Sequence, residues 1–143
     1  MKRVILFFML MLVSSCAWAE IHEFKYFYID IPEGWSVQEN DSMIKITSSD
    51  KSESLMIKAD SLRGESFDKL AVKFSHELGA SVVKIDSDDD YTFEFNDDKR
   101  YAILTGDTSE DFYMLIAGSS LEHTGQPESS DVLLKILDSL EIK

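Results

Sequence analysis

The sequence predicts an α+β domain in which helices cover both faces of a mainly antiparallel sheet of about seven strands. Short runs of alternating apolar and polar residues, separated by turn residues, are typical of antiparallel strands. Two other segments, one at 66–79 and one after Pro127, carry apolar residues at helical spacing instead. Some strands are apolar on both alternations, so they need cover on both sides. Helices on both faces of the sheet are the simplest way to supply it.

The first predicted strand is the aromatic and β-branched run at 24–31. Its side chains are apolar on both alternations, which indicates a strand that is covered on both faces. Pro32-Glu33-Gly34 predicts a turn, because proline fixes φ and glycine can take a positive φ. Trp35 follows the turn and is predicted to close a sheet edge against a helix. Stacking on a ligand or anchoring a partner is the alternative role for this side chain.

Short strands are predicted along the rest of the chain. Residues 43–47 and 55–59 alternate on either side of the polar stretch 48–54, which predicts an antiparallel meander. Further strands are predicted at 82–85, 91–95, 101–104 and 112–117, with turns at 96–98 and 109–111. The run at 112–117 is apolar on both alternations and is therefore predicted to be a covered central strand.

Two amphipathic helices are predicted. The first begins after Ser66, a good N-cap residue, and ends at Gly79, which suits a left-handed C-terminal position. Its apolar stripe consists of Phe67, Leu70, Ala71, Phe74 and Leu78. The second follows Pro127, with Ser129 or Ser130 as its cap. Its stripe consists of Leu133, Ile136, Leu137 and Leu140.

Residues 1–19 have the composition of a secretory signal peptide. Lys2 and Arg3 precede an apolar run at 4–13, and the segment ends in Ala17-Trp18-Ala19. The apolar run is shorter than the stretch of about 20 residues that spans a bilayer. We therefore expect an exported protein, periplasmic or secreted. Its mature part is a single domain at 20–143 with no transmembrane span.

Two cleavage sites compete at the end of this leader. Cleavage after Ala19 gives a free N-terminus, whereas Val13-Ser14-Ser15-Cys16 is a lipobox-like sequence that would make Cys16 a lipid anchor. Cleavage after Ala19 is our prediction, because only 17–20 would tether the lipid to the aromatic run. A membrane-anchored lipoprotein is the alternative. In both cases the mature domain has no disulfide, since the chain contains a single cysteine.

The charge of the mature chain excludes several classes of partner. Loss of Lys2 and Arg3 leaves 124 residues with 12 basic and 27 acidic side chains, so the net charge falls from −13 to −15. Such a surface repels nucleic acid and anionic lipid, which require lysine and arginine. Solubility is the simplest explanation of the acidity. A basic protein partner is the functional alternative.

An acidic run at Asp86-Ser87-Asp88-Asp89-Asp90 is the strongest candidate for a cation site. Asp86, Asp88 and Asp90 match the first, third and fifth ligand positions of an EF-hand loop. Tyr91 then stands where that loop needs glycine, and Asp97 where it needs glutamate. We therefore predict a solvated acidic turn. A divalent-cation-binding protein that uses 86–90 is the alternative function.

No catalytic motif is present in the mature sequence. His22, His76 and His123 are scattered, without the spacing of a zinc site. The segment Ala117-Gly118-Ser119-Ser120 lacks the second glycine of a hydrolase nucleophile elbow, and no glycine-rich nucleotide loop occurs. The sequence predicts no catalytic residue, cofactor or metal ligand, and so a protein that is not an enzyme. A small envelope hydrolase built on one histidine is the remaining alternative.

Two segments of the chain carry a resemblance to a known family: Tyr28-Ile29-Asp30-Ile31-Pro32-Glu33-Gly34-Trp35, and Ile136-Leu137-Asp138-Ser139-Leu140 near the end of the chain. They resemble the PsbP-like superfamily, which shares its fold with the Ran-binding nuclear transport factor and the envelope protein DcrB. The resemblance covers 22–143. It implies an α/β/α sandwich and a non-catalytic role as an accessory subunit, assembly factor or chaperone-like binder. We therefore expect an accessory or protein-binding module of the bacterial cell envelope whose partner is another envelope protein.

The mature N-terminus tests the predicted export. Mass spectrometry of the protein purified from a bacterial envelope fraction should give a mature chain that begins at Glu20. A mass that corresponds to acylated Cys16 would establish the lipoprotein instead. An intact Met1 in the cytoplasmic fraction would contradict export.

Overall fold

The computed structural model describes residues 19–84, 90–97, 99–120 and 131–143. These residues form ten strands and two helices. In chain order the elements are β1 (Glu20–Glu23), β2 (Phe27–Ile31), β3 (Ser36–Asn40), β4 (Met43–Thr47), β5 (Glu53–Ser61), α1 (Phe67–Leu78), β6 (Ser81–Lys84), β7 (Tyr91–Glu94), β8 (Arg100–Asp107), β9 (Phe112–Ser120), α2 (Asp131–Asp138) and β10 (Glu141–Ile142).

Seven strands form one antiparallel sheet in the order β3-β4-β5-β9-β8-β7-β6. This confirms the predicted α+β class and the predicted antiparallel sheet. The central strand is β9, which pairs with β5 from Glu53 to Ser61 and with β8 from Arg100 to Asp107. Tyr113 and Leu115 are buried on one face of β9 and Met114 on the other. The prediction of a covered central strand at 112–117 is therefore confirmed.

Helix α1 packs on the face of the sheet that contains Tyr113 and Leu115. Its buried side chains are those of the predicted stripe, Phe67, Leu70, Ala71 and Phe74. Ser66 caps the helix by accepting a hydrogen bond from the backbone N–H of Lys69 at 3.4 Å. Gly79 ends it in a left-handed conformation, with φ at 64°. Capping residues and apolar periodicity thus located this helix correctly.

A second sheet covers part of the opposite face. It has three antiparallel strands in the order β1-β2-β10, and we call it the small sheet. Phe27, Ile29 and Ile31 point from β2 into a core shared with Ile46, Leu55 and Ile57 of the large sheet. Leu133 and Ile136 of α2 belong to the same core.

The small sheet corrects one prediction and leaves another unconfirmed. The run at 24–31 is not one strand covered on both faces: β2 begins at Phe27, and Tyr28 and Asp30 are only half-buried. Helices on both faces are not confirmed as the architecture, because α2 shares its face with a sheet. The sequence did not predict this sheet, because β1 is short and polar and β10 has only two residues. Edge strand β3 was also missed, since most of its side chains are polar and exposed. Pro127, Ser129 and Ser130 lie outside the described residues.

Gly118 in β9 provides a test of the packing between β8 and β9. A Cβ atom at this position would lie 2.2 Å from Tyr101 Oη and 2.3 Å from Cζ of the same ring. Because the ring is buried, Gly118→Ala should lower the free energy of unfolding by about 1–3 kcal/mol, as other overpacked cores show. Urea denaturation measures this loss. The same substitution in a Tyr101→Leu background should cost less, and an equal cost would contradict the proposed clash.

Candidate functional site

The described residues form a concave surface, a cleft between the small sheet and the β8–β9 hairpin. Its volume is about 600 Å³, and it lies beside β10. We call it the edge cleft. Its apolar lining consists of Tyr26, Phe112 and Ile142, which we call the floor. Its charged lining consists of Lys25 and Lys143, which we call the basic rim, and of Asp107, Glu110 and Asp111, which we call the acidic rim. Ser61, Thr105 and Gly106 complete the lining. It therefore combines an apolar floor with charged rims, as binding sites commonly do.

Two aromatic rings give the floor its shape. The ring centroids of Tyr26 and Phe112 are 5.7 Å apart, with the rings inclined at 49°. The hydroxyl of Tyr26 donates to Asp60 Oδ1 at 3.4 Å. Gly106, which also lines the cleft, allows β8, β9 and the Phe67 ring of α1 to pack closely, because a Cβ there would lie 2.3 Å from the carbonyl oxygen of Phe112 and 2.3 Å from Cζ of Phe67. The floor is thus held by packing that continues into the α1 face of the molecule.

The turn between β8 and β9 supplies the acidic rim. Asp107 Oδ1 accepts hydrogen bonds from the hydroxyl and the backbone N–H of Ser109, the latter at 2.8 Å. These bonds lower the pKa of Asp107 below its ordinary value. Asp111 has a positive φ of 50° and accepts a hydrogen bond from the hydroxyl of Ser61. The local hydrogen bonds therefore fix the position of two carboxylates on this rim.

The basic rim belongs to the small sheet. Lys143 Nζ lies 2.7 Å from Glu23 Oε1 and 4.9 Å from the ring centroid of Tyr28. This hydrogen bond and the charge of Lys143 lower the pKa of Glu23. Lys25 Nζ lies 4.8 Å from the ring centroid of Tyr26. A hydrogen bond with the side chain of Tyr26 raises the pKa of Lys25. Since Glu23 compensates the charge of Lys143, the acidic rim dominates the charge of the cleft.

The acidic run proposed as a cation site lies largely outside the described residues, which include only Asp90 of 86–90. Tyr91 begins β7, as the alternation predicted. Asp97, at the last ligand position of the EF-hand comparison, lies 2.7 Å from Arg100 and accepts a hydrogen bond from the backbone N–H of Lys99. Both interactions lower its pKa, with that of Arg100 the larger. Within the described part of the chain, no three His, Cys, Asp or Glu side chains are placed to hold a metal ion.

The histidines do not form one site among the described residues. His22 lies in β1, 3.9 Å from Glu20 Oε2, on the small-sheet side of the large sheet. His76 is in the last turn of α1, on the other side. His123 lies outside the described residues. Ser119, in the segment that was compared with a hydrolase nucleophile elbow, has its hydroxyl 2.9 Å from that of Ser54 on β5.

Trp35 follows the predicted turn, in which Gly34 has a positive φ of 84° and Trp35 N–H donates to the carbonyl of Pro32 at 3.3 Å. The indole is half-buried and packs against the core between the two sheets. It also lines a second cavity of about 650 Å³, together with His22, Pro32 and Val37. The structure therefore gives this side chain a packing role at a sheet edge.

The residues of the edge cleft were not singled out by the sequence. Tyr26 and Phe112 were assigned to strand runs, and Ile142 carried no signal. The turn at 109–111 was predicted, and its acidic residues were the one visible indication of this site.

Comparison of the chain with models of known protein families finds no match, and comparison with curated proteins finds none either. The resemblance to the PsbP-like superfamily therefore stays a prediction. In the parts of the chain that the structure describes, no helix has the length and apolar character needed to cross a bilayer.

The hydrogen bonds of Asp107 predict a pH-dependent effect of Ser109→Ala. The folded-state pKa of Asp107 lies below the ordinary aspartate value of about 3.9, so its interactions stabilise the fold above that value. They are lost as the pH falls through the lowered pKa. Ser109→Ala should therefore be less stable than the parent protein at neutral pH, and the difference should shrink below about pH 4. Urea denaturation at a series of pH values measures both. A difference that is constant with pH would contradict this account.

Proposed function

We propose that this protein is an exported, non-catalytic accessory module of the bacterial envelope that acts by binding another envelope protein. The observation that carries the proposal is the edge cleft, with its aromatic floor and charged rims. Protein interfaces are enriched in aromatic side chains at their centre and have polar rims. The cleft has this composition, and the exposed Ile142 adds apolar surface that a partner can cover.

Charge supports a protein partner that is basic where it meets the cleft. The mature chain has a net charge of −15 if residues 1–19 are removed. Asp107, Glu110 and Asp111 concentrate part of that charge along one rim. Opposite charges across an interface accelerate association and favour the correct partner over others. A partner segment with lysine or arginine side chains would complement this rim.

The start of the domain is consistent with export. Strand β1 begins at Glu20, and Glu20 already pairs with Ile31 of β2. Cleavage after Ala19 would therefore leave the folded domain intact. Lipidation of Cys16 would leave three residues, 17–19, between the lipid and β1, a tether of roughly 11 Å when fully extended. That alternative would hold the domain close to the membrane surface.

Site-specific photo-crosslinking in living cells tests this function. A photoreactive amino acid is placed at Ile142 or Glu110 in the cleft, and at Val72 as the control. Val72 is an exposed apolar residue on α1, which packs on the other face of the large sheet. We expect one envelope protein to be trapped from both cleft positions and not from Val72.

The trapped protein is then identified by mass spectrometry, purified and titrated against the parent protein. A measurable affinity that Phe112→Ala weakens would support the proposal. Adducts that form equally from Val72, or none from either cleft position, would contradict it. Turnover of a small substrate by the purified protein would contradict the non-catalytic role.

A further inference from the structure

We propose that the edge cleft binds an extended, basic segment of the partner protein, which pairs with the outer edge of β10 as a fourth strand of the small sheet. This inference rests on the proposed function and names the chemistry of its ligand. Three observations carry it: the direction of the β10 backbone groups, the apolar surface beside that edge, and the charge of the rim.

The backbone of β10 directs one N–H and one C=O away from the small sheet, and no described residue hydrogen-bonds to them. Lys143 N–H donates to the carbonyl of Tyr26 at 3.0 Å, so its backbone groups face β2. In an antiparallel strand the N–H and C=O of successive residues point to alternate sides. Ile142 N–H and C=O therefore point away from β2. Among the described strands, none lies beyond β10 on that side of the small sheet.

Such an edge is a site at which another chain can add as a strand. The main chain of the added segment supplies hydrogen bonds, and alternate side chains enter the surface below it. In this molecule the added strand would lie against the aromatic floor formed by Tyr26 and Phe112.

Apolar surface continues from the cleft across the large sheet. Thr105 lines the cleft, and Ile103, two residues earlier in β8, lies on the same face. Ile103 is 36% exposed. It pairs with Thr92 of β7, which in turn pairs with Val83 of β6, and Val83 is 41% exposed. Ile142 is 57% exposed at the β10 edge. Alternate side chains of an added strand would face this surface, and apolar residues at those positions would bury it.

Charge selects basic residues for the other positions of the segment. Asp107, Glu110 and Asp111 line the rim opposite the small sheet, and Lys143 is already paired with Glu23. A segment that alternates apolar and basic residues therefore matches the cleft. A segment that alternates apolar and acidic residues would meet repulsion from the rim and from the net charge of the chain.

The test uses fluorescently labelled hexapeptides of alternating lysine and valine, with alternating glutamate and valine as the control, and measures binding to the mature protein by anisotropy. The lysine peptide should bind at least about tenfold more tightly. N-methylation of one alternate set of its backbone nitrogens should abolish binding, whereas methylation of the other set should not. Only one set faces a partner strand.

Two pairs of protein variants locate the binding edge. Ile142→Pro removes the outward N–H of β10 and leaves the inward bond of Lys143, so the lysine peptide should bind about tenfold more weakly. Ile21→Pro is the matched control: by the register of β1 with β2, Ile21 N–H points outward from the opposite edge of the same sheet. It should leave binding unchanged. Glu110→Lys should weaken binding, whereas Glu77→Lys should have little effect: it changes the net charge equally, but at an exposed position of helix α1, which packs on the other face of the large sheet.

Folding of each variant is checked by its urea unfolding midpoint. Absence of lysine-peptide binding up to millimolar concentration, equal binding of the glutamate peptide, or unchanged binding by folded Ile142→Pro would overturn the inference. If crosslinking from Ile142 and Glu110 still traps one envelope protein, the proposed function is retained while strand addition is rejected. If crosslinking also fails, the proposed function is rejected as well.

Discussion

The structure depends on the burial of β9 on both of its faces. Tyr113 and Leu115 lie in the core beneath α1, and Met114 lies in the core beneath the small sheet. Burying such a side chain contributes about 1.5–3 kcal/mol. Strand β9 is also paired along its length, with β5 on one side and β8 on the other. Both cores therefore share one strand.

The edge cleft follows from a mismatch between the layers on one side of β9. The small sheet has three strands and the large sheet seven, and α2 belongs to the same core as the small sheet. Beside β10, Thr105 and Gly106 of β8 line the edge cleft. Ile103 and Val83 of the large sheet and Ile142 of β10 are partly exposed. The proposed binding site is thus the place where the two-sheet core is incomplete.

Local sequence patterns predicted the elements that local interactions determine. Helix α1 was located from Ser66, Gly79 and its apolar stripe, and β4 from the alternation at 43–47. Strand β9 was recognised because both of its alternations are apolar. The small sheet was missed because its partners are far apart in sequence: Phe27 pairs with Ile142, and no local pattern reports that contact. The cleft was missed for the same reason, since Tyr26, Phe112 and Ile142 meet only after the tertiary fold has formed.

The central claim is that the small sheet ends in an open edge that can bind another strand. Amide hydrogen exchange at Ile142 tests this claim most directly. In the free protein the account predicts fast exchange at Ile142 and slow exchange at Lys143, whose N–H is bonded to Tyr26. Addition of the purified partner should slow exchange at Ile142 and leave Lys143 little changed. Slow exchange at Ile142 in the free protein, or fast exchange that persists in the complex, would contradict the account.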